Sequence, residues 1–212
     1  MGVTGFSGCD IIRTAMSAEV NHSARRSFVV ERAMGLFAKM GYGKVSFMTI
    51  SEATGIARTA LYRYFKTKRD IFDAAIHEAT SGIKKKLQQV AGRKISVPRR
   101  LELACGIVID EFYGRRDFFS AIYEFVFSMV RAGEDMTGRI RQFTGGFEVV
   151  LRRLLEEGVS NGELRSTVDP EDAAEALYAL MESVALRVML GVEKDPLVAK
   201  RRFGAVIAAL AM

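Results

Sequence analysis

Apolar residues recur every three or four positions through most of this chain, and no run alternates apolar with polar residues at the two-residue period of a half-buried strand. Prolines, which break the interiors of helices, occur only at Pro98, Pro170 and Pro196, so long helices are permitted. We therefore predict an all-α fold of nine helices with no sheet.

The first helix is predicted to begin near Ala24 and to end at Gly41, because glycine commonly follows the last residue of a helix. Its buried stripe comprises Val29, Ala33, Leu36, Phe37 and Met40. Residues 1–22 combine weak periodicity with scattered glycine and serine, and we expect them to form a loosely ordered leader.

Two short helices and a tight turn follow. Ser46 can cap the second helix, Gly55 supplies the turn, and a third helix is predicted over residues 58–64. Thr67 and Asp70 have the spacing of a capping box, which opens a long fourth helix. This is the layout of a helix-turn-helix, whose last helix enters the major groove of DNA.

The third helix carries side chains suited to DNA. Arg58, Thr59, Arg63 and Tyr64 are predicted to point outward, and arginine can bond guanine through two hydrogen bonds. Further donors for phosphate oxygens are Tyr62, Lys66 and Lys68. Leu61 and Phe65 are predicted to face the core instead.

The distribution of charge agrees with a nucleic-acid partner. Residues 1–100 hold 18 Lys and Arg against 7 Asp and Glu, whereas residues 101–212 hold 13 against 18. A basic half beside an acidic half suggests that the first half meets a polyanion, although a basic solvated surface would give the same counts.

Three runs, GYGKVS at 41–46, ISEATGI at 50–56 and LYRYFKTK at 61–68, resemble the N-terminal signature of the TetR family of transcriptional regulators. The resemblance covers about Ala24 to Phe72. It implies that Arg58, Thr59 and Ala60 face base edges, that Ser46 and Tyr62 contact phosphates, and that Tyr64 and Lys68 contact the DNA backbone or the groove wall. The predicted DNA contacts are Ser46, Arg58, Thr59, Ala60, Tyr62, Arg63, Tyr64, Lys66 and Lys68.

Two residues depart from the family pattern: Ala57 stands where a serine cap is common, and Thr54 replaces alanine before the glycine. Packing or solvation could also account for some of the predicted contacts. Tyr62 could be a half-buried packing residue, and Lys66 and Arg69 could be merely solvated. The basic run Lys84–Lys86 could lie near the phosphates, but a solvated face is the favoured interpretation.

The second half of the chain is predicted to form five further helices. They span about residues 98–114, 117–131, 136–161, 170–190 and 196–210. The helix at 117–131 is apolar nearly all round, so we expect it to be central. The resemblance implies a helix-turn-helix domain at residues 23–70 and a ligand-binding and dimerisation domain at residues 71–212.

A ligand cavity would need apolar and aromatic walls with a few polar groups. The candidates for its lining are Phe112, Phe119, Tyr123, Phe127 and Phe147. Arg115, Arg116 and Glu124 could orient a polar end of the ligand. The alternative for each aromatic residue is ordinary core packing.

Two consecutive apolar helices at the end of the chain can pack against their copies in a symmetric four-helix bundle. The residues predicted for this homodimer interface are Leu177, Met181, Val184, Val188, Phe203, Val206 and Leu210. The alternative is that these stripes only close the core of one subunit.

Enzymatic, metal-binding and membrane functions find no support in the sequence. His22 and His77 lack partners at metal-ligand spacing, and there is no nucleophile motif or phosphate-binding glycine loop. Cys9 and Cys105 are too few for a disulfide framework. No apolar run reaches the length of a membrane span. We expect a cytoplasmic protein without catalytic residues, metal or cofactor.

The function predicted from the sequence is sequence-specific operator binding by a homodimer that represses transcription until a small, largely apolar effector binds. A DNA-organising or partner-regulated protein without an effector is the alternative. An enzyme on an all-helical scaffold is a weaker one.

Overall fold

The structure is a computed structural model that describes the backbone from residue 8 and the side chains from residue 22. Over these residues the chain forms nine helices and no sheet, as predicted; a single antiparallel bridge joins Leu164 and Ala211. The helices are α1 Gly8–Lys44, α2 Phe47–Thr54, α3 Arg58–Leu61, α4 Lys68–Ala91, α5 Val97–Gly114, α6 Arg116–Arg131, α7 Thr137–Ser160, α8 Pro170–Met189 and α9 Pro196–Leu210.

Helix α1 starts earlier than predicted. It begins at Gly8, so residues 8–22 of the predicted leader are helical. The rest of that predicted leader, residues 1–7, lies outside the described residues. Gly41 interrupts α1 where a stop was predicted, with φ 76° and ψ 162°, a conformation that L side chains rarely adopt.

The predicted caps of α2 and α4 are confirmed. Ser46 Oγ accepts a hydrogen bond from the Thr49 backbone N–H at 3.2 Å, and Gly55 ends α2 with φ 68°. Thr67 and Asp70 form a reciprocal capping box at the start of α4. Helix α3 ends at Leu61, earlier than predicted, and Ala57 gives it no side-chain cap.

The described side chains form two apolar cores, and α4 contributes to both. The first core joins α1, α2, α3 and the start of α4 to α6, and it centres on Phe37, Phe72 and Phe125. The Phe72 ring lies 4.7 Å from that of Phe37 and 5.0 Å from that of Phe125. The second core joins the end of α4 to α5, α7, α8 and α9.

Helix α6 is not buried on every side, contrary to the prediction. Phe118 and Phe125 are buried against the first core, but Phe127 is 55% exposed and Val130 53% exposed. The reason is that α6 lies between α1 on one side and α5 and α8 on another, which leaves a third side open.

Candidate DNA-binding surface and ligand cavity

The recognition segment presents polar side chains above a buried anchor. Leu61 is fully buried, which fixes α3 against the first core. The predicted DNA contacts that are exposed to solvent are Ser46, Arg58, Thr59, Tyr62, Arg63 and Lys66, whereas Ala60 and Tyr64 are half-buried. The arrangement is suited to a groove-facing helix, and the individual DNA contacts stay predictions.

Tyr62 combines packing with exposure. Its ring stacks on Phe47 at 4.5 Å and 12°, and 49% of the residue remains exposed. Stacking on a residue of α2 restricts the ring, so that its phenol is held beside α3. The packing role considered from the sequence and the predicted phosphate contact are therefore compatible.

Lys68 is occupied inside the protein. Its Nζ donates hydrogen bonds to the backbone oxygens of Tyr42 at 2.9 Å and Gly43 at 3.4 Å. The same Nζ lies 4.2 Å from the centre of the Tyr42 ring. Burial lowers the pKa of Lys68, and the Glu124 carboxylate partly offsets this. This ammonium holds the turn between α1 and α2, and its contact with phosphate stays a prediction.

A cavity of about 520 Å³ lies among α4, α5, α6, α7 and α8. All five aromatic residues predicted for a pocket line it: Phe112, Phe119, Tyr123, Phe127 and Phe147. The aliphatic wall of the cavity was not predicted from the sequence; it is formed mainly by Ile76, Ile83, Leu87, Val108, Ile122, Val126 and Ile140. Such residues are indistinguishable from ordinary core until the helices around them are placed.

One wall of the cavity is polar. Tyr123, Thr144, Tyr178 and Glu182 lie on α6, α7 and α8. Burial raises the pKa of Tyr178 to about 12, with the negative charge of Glu182 acting in the same direction. Glu182 forms no ion pair with any described residue.

A second polar group belongs to α4 and α7. It consists of His77, Thr80, Ser81, Lys84 and Gln142, of which His77, Ser81, Lys84 and Gln142 are exposed and so border an opening. The backbone of Gly146 also lines the cavity. A Cβ added there would lie 3.8 Å from Lys84 Cγ, in ordinary contact.

The charged residues expected to orient a ligand lie elsewhere. Arg116 Nη2 donates to the Met189 backbone oxygen at 3.0 Å, and Arg115 pairs with Glu111 at 3.4 Å. Glu124 faces Gly41: a Cβ added to that glycine would lie 2.5 Å from Glu124 Oε2. The prediction for these three residues was wrong, because none of them lines the cavity.

The predicted dimer interface is largely internal to one subunit. Leu177, Met181, Val184, Val188 and Phe203 are at most 2% exposed and belong to the second core, so they cannot meet a partner. Of the predicted set, Val206 is 39% exposed and Leu210 is half-buried.

The exposed apolar side chains of this region lie on the opposite side of α8, in the turn to α9 and at the start of α9. Leu186, Leu190, Val192 and Leu197 are between 46% and 67% exposed. Exposed small residues continue the α8 face at Ala176, Ala179 and Ser183. The sequence pattern favoured the stripe of larger apolar residues as the dimer interface, but the chain buries that stripe against its own helices.

The described residues were compared with the requirements of a metal site and of a membrane-spanning helix, and they meet neither. In the described part of the chain, no three His, Cys, Asp or Glu residues are grouped so that they could hold a metal ion. No described helix is long and apolar enough to cross a membrane.

Comparison with known proteins matches both halves of the chain. Residues 29–75 match the family described as bacterial regulatory proteins, tetR family. Residues 98–211, more than half of the chain, match the C-terminal domain of the BetI-type transcriptional repressors.

Individual relatives resemble the chain over most of its length. The fatty acid metabolism regulator protein of Bacillus subtilis is 21% identical over 81% of this chain and 87% of its own. The nucleoid occlusion factor SlmA of Marinobacter nauticus is 22% identical over 71% of this chain and 74% of its own. The structure of FadR from Bacillus subtilis in complex with stearoyl-CoA shares the fold, with a TM-score of 0.71 at 18% identity over 88% of this chain and 99% of that one.

Proposed function

Because the chain belongs to the TetR family of bacterial transcriptional regulators, we propose that it is a homodimeric repressor that leaves its operator when a small, largely apolar effector fills the cavity. The observation that supports a small-molecule effector is the cavity itself. Its volume of about 520 Å³ falls within the range of small-molecule sites, and its walls are mainly apolar with a few polar groups.

Operator recognition rests on the exposed residues of the helix-turn-helix. Arg58 and Thr59, at the start of α3, would meet base edges, and the exposed Ser46, Tyr62, Arg63 and Lys66 would meet phosphates. In a dimer, two copies of α3 would lie about 34–36 Å apart to enter successive major grooves.

Dimerisation would use the exposed faces of α8 and α9. Two such helices from each subunit can form a four-helix bundle about a two-fold axis. Leu186, Leu197 and Val206 would supply its apolar contacts, and Ala179 and Ser183 would allow the backbones to approach.

Helix α6 supports coupling between the cavity and the DNA-binding unit. Phe119 and Tyr123 line the cavity, while Phe125, on the same helix, packs in the first core. Glu124 lies against Gly41, at the interruption of α1. An effector that displaces α6 would therefore shift α1, and by linkage it would bind the DNA-free form more tightly than the DNA-bound form.

An acyl compound is the first effector to test. The Bacillus subtilis structure was solved with stearoyl-CoA, and that species' related regulator is named for fatty acid metabolism. The mainly apolar wall suits a hydrocarbon chain, and Lys84 at the α4 opening suits an anionic group at its end.

The rival function is DNA organisation without an effector, and one relative, SlmA, is a nucleoid occlusion factor. A sealed core would favour the rival. The cavity between α4 and α8 favours an effector instead, because keeping apolar walls apart forfeits packing contacts.

The test is a genome-fragment binding selection with the purified protein, followed by operator titrations with and without stearoyl-CoA. An enriched palindrome and an operator affinity that falls at saturating stearoyl-CoA support the proposal. Uniform binding of all fragments supports the DNA-organising rival. If the protein binds stearoyl-CoA but its operator affinity is unchanged, the proposed coupling is wrong.

A further inference from the structure

The N-terminal part of α1 lies outside the family match. Helix α1 begins at Gly8, whereas the match to the DNA-binding domain begins at residue 29. At a rise of about 1.5 Å per residue, residues 8–28 form a helix of about 30 Å, a length comparable to one turn of DNA.

Two side-chain contacts fix where this helix leaves the DNA-binding unit. The His22 ring lies 4.6 Å from the Tyr64 ring, and the Arg26 guanidinium lies 4.9 Å from the centre of the Phe65 ring. Residues four apart share a helix face, so one face of α1 rests on the segment that follows α3. This segment carries four of the predicted DNA contacts, Tyr62, Arg63, Tyr64 and Lys66.

The charge at this corner is positive. Arg25 and Arg26 are exposed, and neither forms an ion pair with a described residue. The neighbouring Arg63 and Lys66 are also exposed, and neither pairs with an acidic side chain among the described residues. Four exposed cations thus belong to two segments that are far apart in sequence but are in contact through His22 and Arg26.

We propose that residues 22–26 of α1 form a second DNA-contacting surface, which binds backbone phosphates flanking the half-site that α3 reads. This inference rests on the proposed function, because it requires an operator. Duplex DNA fits the surface because Arg25 and Arg26, which pair with no described acidic residue, lie beside the recognition segment and would meet the nearest phosphates outside the groove.

The test compares two duplexes made from the selected operator, one trimmed to the palindrome and one with an additional 10 base pairs on each side. Affinities are measured for the intact chain, for Arg25→Ala/Arg26→Ala, and for the control Arg93→Ala/Lys94→Ala. The control removes two exposed cations from the loop between α4 and α5, away from α3. Arg25→Ala alone is included in case Arg26 is needed for packing on Phe65.

We expect the intact chain to bind the flanked duplex roughly tenfold more tightly than the trimmed one, with the control variant behaving alike. The double variant should lose that preference. For the double variant on the flanked duplex, the plot of log affinity against log salt concentration should become less steep by about 1.8. Each phosphate contact contributes about 0.9 to the steepness, and each of the two subunits loses at least one contact.

Other outcomes overturn the inference. If the double variant keeps the preference for flanks, residues 22–26 do not contact DNA. If it loses affinity equally for both duplexes with an unchanged salt slope, the arginines only support the fold of the corner. Failure of the proposed function looks different, because then the intact chain selects no palindrome.

Discussion

Replacing Gly41 with alanine should destabilise the protein, because this position needs glycine for two separate reasons. Its φ of 76° and ψ of 162° fall in a region that is essentially restricted to glycine, and a residue with a side chain pays about 1–3 kcal/mol there. In addition, the new Cβ would lie 2.5 Å from Glu124 Oε2, so the carboxylate must move. Moving the end of a flexible side chain is cheap, so most of the loss should come from the backbone.

The measurement is urea unfolding followed by circular dichroism at one fixed protein concentration, because a dimer's apparent stability depends on concentration. The matched control is Gly35→Ala in the helical part of α1, where nothing lies within 4 Å of the added Cβ. That control should stabilise the protein by about 0.5–1 kcal/mol, since glycine is costly inside a helix.

The double variant Gly41→Ala/Glu124→Ala separates the two causes. If backbone strain dominates, adding Glu124→Ala restores little of the lost stability. If the steric contact dominates, it restores most of it. A Gly41→Ala protein that is as stable as the Gly35→Ala control would refute the reasoning altogether, because it would mean that the chain does not adopt this conformation at residue 41.

Three further changes give measurable outcomes. Arg100→Ala should lower the free energy of unfolding in urea by about 2–3 kcal/mol, because the buried Arg100 bonds Glu157 at 2.5 and 3.0 Å. The partial exposure of Glu157 limits this loss, since solvent can stabilise the carboxylate that is left. The same bond lowers the pKa of Glu157, so this loss of unfolding free energy should depend on pH. It should be complete above about pH 4.5 and should shrink as the pH falls through the folded-state pKa of Glu157. A loss that is the same at every pH would contradict this. Arg58→Ala should cost about 1–3 kcal/mol in operator binding and relax base preference at one position, whereas a uniform loss across sequences would indicate a phosphate contact. Glu182→Gln should weaken the binding of decylamine about tenfold, because the ammonium loses a charged partner, and should leave the binding of 1-decanol unchanged. Calorimetry measures both affinities, and equal losses for the two compounds would exclude a charge-assisted contact in the cavity.

Much of the fold and part of the candidate site could be predicted from the sequence, because these features depend on local chemistry. The caps at Ser46 and Thr67 are decided within four residues, so their sequence signals were sufficient. The aromatic wall of the cavity was found for a simpler reason: Phe119, Tyr123 and Phe127 recur on one face of α6. The polar wall was not found, since Tyr178 and Glu182 meet Tyr123 only after α8 packs beside α6.

By itself, the sequence determined the helical class, the order of the helices, most of their ends and the family. Periodicity, glycine, proline and caps act through neighbours along the chain, and the motif at residues 41–68 is contiguous. Tertiary structure decided which face of each helix is inside. In the folded chain Leu177 and Phe203 are buried in the core of one subunit, and Lys68 bonds the turn between α1 and α2. Glu124 lies against Gly41. The physical reason is that burial and ion pairing depend on residues brought together from distant parts of the chain, which a helical period cannot specify.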